Sequence, residues 1–141
     1  MNDQHRGRLT REGIRIHEAG DFAGMRRAGQ VAAGILDAIA PHVQPGVTTG
    51  ELDRLIEEKV HEAGAKSATI GYKGYQHASC ISLNHVVCHG IPGDKKLKDG
   101  DILNIDVTVI VDGWFGDTSR MYAAGALPRK AERLIDITHD A

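Results

Sequence analysis

Asp112-Gly113 stands between two runs of strand-forming residues, Ile102–Val111 and Trp114–Tyr122, and this dipeptide is the two-residue signature of a tight hairpin. In that hairpin Val111 faces Trp114, Asp106 faces Ser119 and Thr108 faces Asp117. Directly opposite residues share a face, as do residues two apart on a strand. Asp106 and Asp117 therefore fall on one face as diagonal neighbours, about 7 Å apart at the backbone. The other face of the first strand, Leu103, Ile105, Val107, Val109 and Val111, is wholly aliphatic and is assigned to the core. Two like charges side by side repel unless something neutralises them, and burial raises the cost. A shared proton would suit an acid–base dyad, and a divalent metal ion would suit hydrolysis. A water-exposed face with both aspartates solvated fits the residue types equally well.

Ahead of the hairpin the period is helical. Met25, Ala28, Ala32, Ile35, Leu36 and Ile39 form one apolar stripe from Asp21 onward, and Pro41 ends it. Thr48-Thr49-Gly50-Glu51 reads as a capping box for a second stripe, Leu52, Leu55, Ile56 and Val60, with Gly64 at the C-terminal cap. After Gly64 the period becomes two. A glycine-broken aromatic loop, Gly71–Tyr75, precedes a strand over Cys80–Val87 and a second loop, His89–Gly93; a last helical segment runs from Ala131 with Leu134, Ile135 and Ile137. The fold class expected is α/β (α+β): two leading amphipathic helices, then antiparallel strands. Residues 1–20, with Arg6, Arg8, Arg11 and Arg15, read as a flexible, solvated leader ahead of a domain over residues 21–141.

A length of 141 residues suits one domain with a real core, and a net charge of −2 excludes a generally basic nucleic-acid binder. No apolar run is long enough to span a bilayer, and Met1–Arg6 lead into no signal-peptide core. Cys80 and Cys88 make no disulfide framework, which points to a reducing cytosol. Of the eight histidines, His89 is singled out because Gly90 and Pro92 stiffen its loop. Tyr72 and Tyr75 read on spacing as loop packing rather than pocket walls. Cys88 and His89 are adjacent on an extended chain and face opposite ways, so a cysteine nucleophile is rejected.

As a set, several stretches resemble the type I methionine aminopeptidases. They are Gly46–Asp53, Gly71–Tyr75, Cys80–Asn84, Val87–Pro92, Asp101–Thr108 and Gly116–Ser119. The likeness runs from about Ile14 to the end. It implies a pita-bread fold of two pseudo-symmetric halves around a dinuclear site, with residues 21–141 as the N-terminal half. By resemblance Asp106 is a metal ligand and Asp117 bridges both ions. His89 is the catalytic histidine that contacts substrate near the scissile peptide, and Tyr72, Tyr75 and Cys80 line the methionine pocket. The remaining ligands of that family, a His and two Glu, lie in the second half, beyond the 141 residues.

The function so implied is metal-dependent removal of the initiator methionine from nascent proteins, with preference for a small second residue. Two divalent ions are expected, and Co, Mn, Fe or Zn would suit such donors. The expected partners are the N-terminal Met of nascent peptides and, transiently, the ribosome, in the cytoplasm, with no membrane or specific nucleic acid. Two alternatives stand beside it: an Xaa-Pro dipeptidase of the same fold, and a non-catalytic pita-bread binding module. Without the second half, the aliphatic face Leu103–Val111 and the stripe Leu134, Ile135, Ile137 are expected to lie uncovered.

Overall fold

The structure is a computed structural model that describes residues 7–141. Met1–Arg6, including Arg6 of the basic leader, lie outside the described residues. Within the rest of the leader, β1 (Arg8–Leu9) and β2 (Arg15–Ile16) pair antiparallel, a difference from the loosely ordered segment expected. A local turn accounts for it: Thr10 N–H donates to Ile14 O at 2.8 Å, and Gly13 takes a left-handed φ of 77° to close the loop.

Helix α1 (Ala19–Ile39) begins where Asp21 accepts from the Glu18 N–H at 2.9 Å and stops where Pro41 forces a 3-10 turn. Its buried side chains are Asp21, Ala28, Ala32, Ile35, Leu36 and Ile39; Met25, expected in the stripe, is exposed. The first turns present Asp21, Gly24 and Ala28 inward, with Gly24 against the Trp114 indole, so Met25 points about 100° away. Helix α2 (Thr49–Glu62) starts on the expected capping box: Glu51 N–H donates to Thr48 Oγ1 at 3.1 Å, and Thr48 N–H donates to Glu51 Oε2 at 2.7 Å. Gly64 closes it at φ 67°.

The main sheet contains β3 (Lys66–Ser67), β4 (Ser79–Leu83), β5 (Asp101–Val111) and β6 (Trp114–Ala124). β5 is central: β6 pairs along one edge for its whole length, and β4 and β3 follow one another along the other edge. β4 ends at Leu83 rather than Val87. Asn84 turns left-handed at φ 53° there, donates to Asp101 Oδ1 at 2.9 Å and accepts from Ile102 N–H at 3.1 Å, so its amide closes the strand instead of extending it.

Helices α1 and α2 share one face of the sheet, α1 over β5 and β6, α2 over β3 and β4. Leu103, Ile105, Val107, Val109 and Val111 are 0–5% exposed beneath them, so the expected uncovered face is corrected: the chain covers it itself. Gly116 permits the approach of α1, because a Cβ there would lie 2.2 Å from Ala28 O. Tyr122 adds a tie, donating its hydroxyl to Leu36 O at 2.7 Å. Helix α3 (Arg129–Asp140) follows, with Leu134 and Ile137 exposed. Among the described residues no helix is long and apolar enough to cross a membrane.

Candidate metal and substrate site

The face of β5 opposite the helices carries Asn104, Asp106 and Thr108. The β5–β6 ladder is continuous from Val111↔Trp114 to Asp101↔Ala124, with Asp106 opposite Ser119 and Thr108 opposite Asp117. No bulge shifts the alternation between the two aspartates, so their side chains share this face. On the other edge Cys80 pairs with Asp106, which makes Cys80, Asp106 and Ser119 one row across three strands. Asp106 is half-buried and Asp117 exposed. Burial, reinforced by the nearby Asp117 charge, pushes the Asp106 carboxyl above its usual 3.8, while His89 pulls it down. Asp117 and His89 therefore both lie close enough to act on the Asp106 carboxyl. A divalent cation would relieve the repulsion that the pair creates. Two carboxylates are only part of a ligand shell: among the described residues no group of three or more His, Cys, Asp and Glu side chains could hold a metal ion.

His89 sits at φ 53°, beside a glycine that the packing requires. A Cβ on Gly90 would meet Ile81 O at 2.1 Å, since Gly90 lies directly on β4: Ile81 N–H donates to Gly90 O at 2.8 Å and Gly90 N–H to Ser82 Oγ at 3.1 Å. Farther along, Gly50 N–H donates to Gly93 O at 2.8 Å, fastening the loop to the start of α2. The stiffness expected of this loop thus comes from backbone contacts at both ends as well as from Pro92.

Tyr75 and Cys80 meet: Cys80 Sγ donates to Tyr75 Oη at 3.6 Å, and Tyr75 Oη donates to Ser79 O at 2.8 Å. Burial raises both the Tyr75 phenol and the Cys80 thiol, so each is held neutral. Tyr72, in the 3-10 turn Tyr72–Gly74, is 65% exposed with the Lys73 ammonium 5.5 Å from its ring centroid.

Sequence reasoning missed the group beneath this pair. Asp53, in α2 and buried, accepts from Ser79 N–H at 2.9 Å and Ser79 Oγ at 2.7 Å through Oδ1, while its Oδ2 lies 3.0 Å from His77 Nδ1. The signal was there: Asp53 occupies an apolar stripe with Ile56 and Val60, where a charged side chain needs a buried partner.

Known proteins resemble this chain closely. A family model described as metallopeptidase family M24 matches residues 23–141. The methionine aminopeptidase of Rickettsia prowazekii is 55% identical over 128 residues, covering 91% of this chain and 49% of that protein. The methionine aminopeptidase of Escherichia coli is 54% identical over 130 residues with the same coverage, 91% and 49%. The crystal structure of the Rickettsia enzyme superposes with a TM-score of 0.88 at 54% identity, over 90% of this chain and 51% of that one. An Xaa-Pro dipeptidase from Bacillus anthracis, at 20% identity and a TM-score of 0.73 over 85% of this chain and 32% of that one, shares the fold alone. The fold is thus one half of the pita-bread arrangement, and the chain spans about half the length of the curated relatives it matches.

Proposed function

This chain belongs to metallopeptidase family M24, and on that premise we propose that it serves a metal-dependent aminopeptidase that removes the initiator methionine from nascent proteins, preferring a small second residue. Residues 21–141 act as the N-terminal half of that catalytic domain. Asp106 and Asp117 bind the metal, Asp117 as the bridge between two divalent ions, with Co, Mn, Fe or Zn each suited to the donors. When bound, such ions supply Lewis acidity toward the first peptide carbonyl and toward water. His89 contacts the substrate beside the scissile bond and orients it. Tyr72, Tyr75 and Cys80 receive the methionine side chain, with the neutral thiol and phenol offering a polarisable, uncharged wall to a thioether. Nascent chains, with the ribosome as a transient partner, are the substrates, and the cytoplasm is the setting.

The observation that carries this reading is the row Cys80–Asp106–Ser119 with Asp117 beside it, which sets a half-buried soft side chain next to paired carboxylates on one face. Paired carboxylates also weigh against a non-catalytic binding module, which gains nothing from like charges held together. The test is a chain completed to the length of its relatives, purified with divalent metal and assayed on Met-Ala-Ser and on Xaa-Pro dipeptides. Release of Met from the tripeptide is expected. Cleavage of the Xaa-Pro substrates alone would transfer the reading to a prolidase, and hydrolysis of neither would return the module.

A further inference from the structure

We infer that Asp53 is a positioning residue for the methionine pocket, holding Tyr75 and Cys80 through Ser79 without touching substrate itself. The inference rests on the proposed function for the meaning of that pocket; the hydrogen bonds that link these residues stand independently of it. Asp53 lies on the inner side of α2 and is 5% exposed. Its Oδ1 takes both donors of Ser79, the backbone N–H at 2.9 Å and the hydroxyl at 2.7 Å. Ser79 is the first residue of β4 and is fully buried, so these bonds set where the strand begins. The same residue offers its carbonyl to Tyr75 Oη at 2.8 Å, and its successor Cys80 donates to that hydroxyl.

The other oxygen of Asp53 holds the approach to β4. His77 Nδ1 lies 3.0 Å from Oδ2, and its ring stands edge-on to Tyr75 with centroids 5.5 Å apart. His77 O accepts from Thr69 Oγ1 at 2.7 Å, which ties the two ends of the tyrosine loop together. One buried carboxyl group thus governs the start of β4 and the ring packed on Tyr75. Its removal leaves Ser79 with two buried donors and no acceptor, a cost that a shift of the strand start would relieve.

A second consequence separates positioning from charge. Asparagine keeps an Oδ1 for both Ser79 donors, and its Nδ2 can donate to His77 Nδ1 once that ring carries its proton on Nε2. Asp53→Asn therefore preserves the linkage, whereas Asp53→Ala breaks it.

The experiment uses the chain completed to the length of its relatives and compares kcat and KM for Met-Ala-Ser and Leu-Ala-Ser. Asp53→Ala is expected to raise KM for the Met peptide and to lower the Met-over-Leu preference by about tenfold, with Asp53→Asn recovering most of it. A preference ratio is insensitive to the folded fraction, so a merely structural role would leave it unmoved. An unchanged ratio in Asp53→Ala, or no recovery in Asp53→Asn, overturns the inference. Should Asp53→Ala fail to accumulate, Ser79→Ala carries the test, with a drop in preference of about threefold expected and no drop overturning it. If wild type cleaves neither peptide, the proposed function has failed, and the inference is read instead from iodoacetamide alkylation of Cys80 in a Cys88→Ser background. A rate about tenfold faster in Asp53→Ala than in its parent supports it, and equal rates overturn it.

Discussion

Asp117 stands diagonally across the β5–β6 ladder from Asp106, two residues along from the Ser119 that faces it, with no bulge between. Because a ladder repeats every two residues, a slip of one place would have sent one carboxylate to the helix side of the sheet. The Asp112-Gly113 turn prevents that slip: both residues have positive φ, 50° and 80°, the geometry of the tight turn whose twist matches the strands. The turn thus sets where the two charges meet.

If Asp117 bridges two ions, Asp117→Asn in the completed protein should abolish Met release and lower the bound metal. The neutral amide keeps the shape and loses the charge, so a purely structural role predicts little change. Metal content and turnover measured together decide the matter, and full activity would remove the bridging role.

For His89→Ala, turnover of Met-Ala-Ser should fall about a hundredfold or more with metal content unchanged, because the role proposed is at the substrate. Loss of metal in this variant would make His89 a ligand instead. Since Gly90 holds the loop against β4, Gly90→Ala should displace His89 and produce a weaker version of the same defect.

The hairpin register, the two helical stripes and the Thr48–Glu51 cap were legible in the sequence because each is a local rule with a short period. The aliphatic face of β5 was also read as core, yet its cover was misjudged. Alternation shows that Leu103–Val111 must be buried but says nothing of which element does the burying, and α1 and α2 do so. Met25 and the end of β4 went wrong for similar reasons. The inward edge of α1 is set by Gly24 meeting Trp114, and β4 stops on hydrogen bonds that Asn84 exchanges with Asp101 and Ile102, far along the chain. Asp53 was missed because its partners, His77 and Ser79, lie 24 and 26 residues away.

Gly116→Ala should destabilise the fold by about 1–3 kcal/mol. The added methyl would stand 2.2 Å from a backbone oxygen of α1, which cannot rotate aside as a side chain could. Urea unfolding checks this, and a midpoint equal to wild type would mean that α1 docks less tightly than described.

Glu51 provides a pH dependence with a definite sign. Its hydrogen bond from the Thr48 N–H holds the carboxyl below its usual 4.5. A depressed folded-state value means stability that is present above the unfolded value and lost as pH falls through the folded one. Glu51→Gln should therefore unfold at lower urea than wild type near neutral pH, with the gap closing below the ordinary carboxylate range. A gap that persists in acid would assign the effect to geometry rather than charge.

The 141-residue chain by itself should retain no stoichiometric metal through gel filtration and should release no Met from Met-Ala-Ser. Among the described residues no group of three or more His, Cys, Asp and Glu side chains joins Asp106 and Asp117, and divalent metals in hydrolytic sites require more protein donors than two. The mass of the protein in solution completes the measurement. A monomer carrying metal and turning over substrate would show that this face suffices as it is. Metal and turnover confined to a dimer would show instead that a second copy supplies the missing donors. Either result would overturn the expectation, and the solution mass distinguishes them.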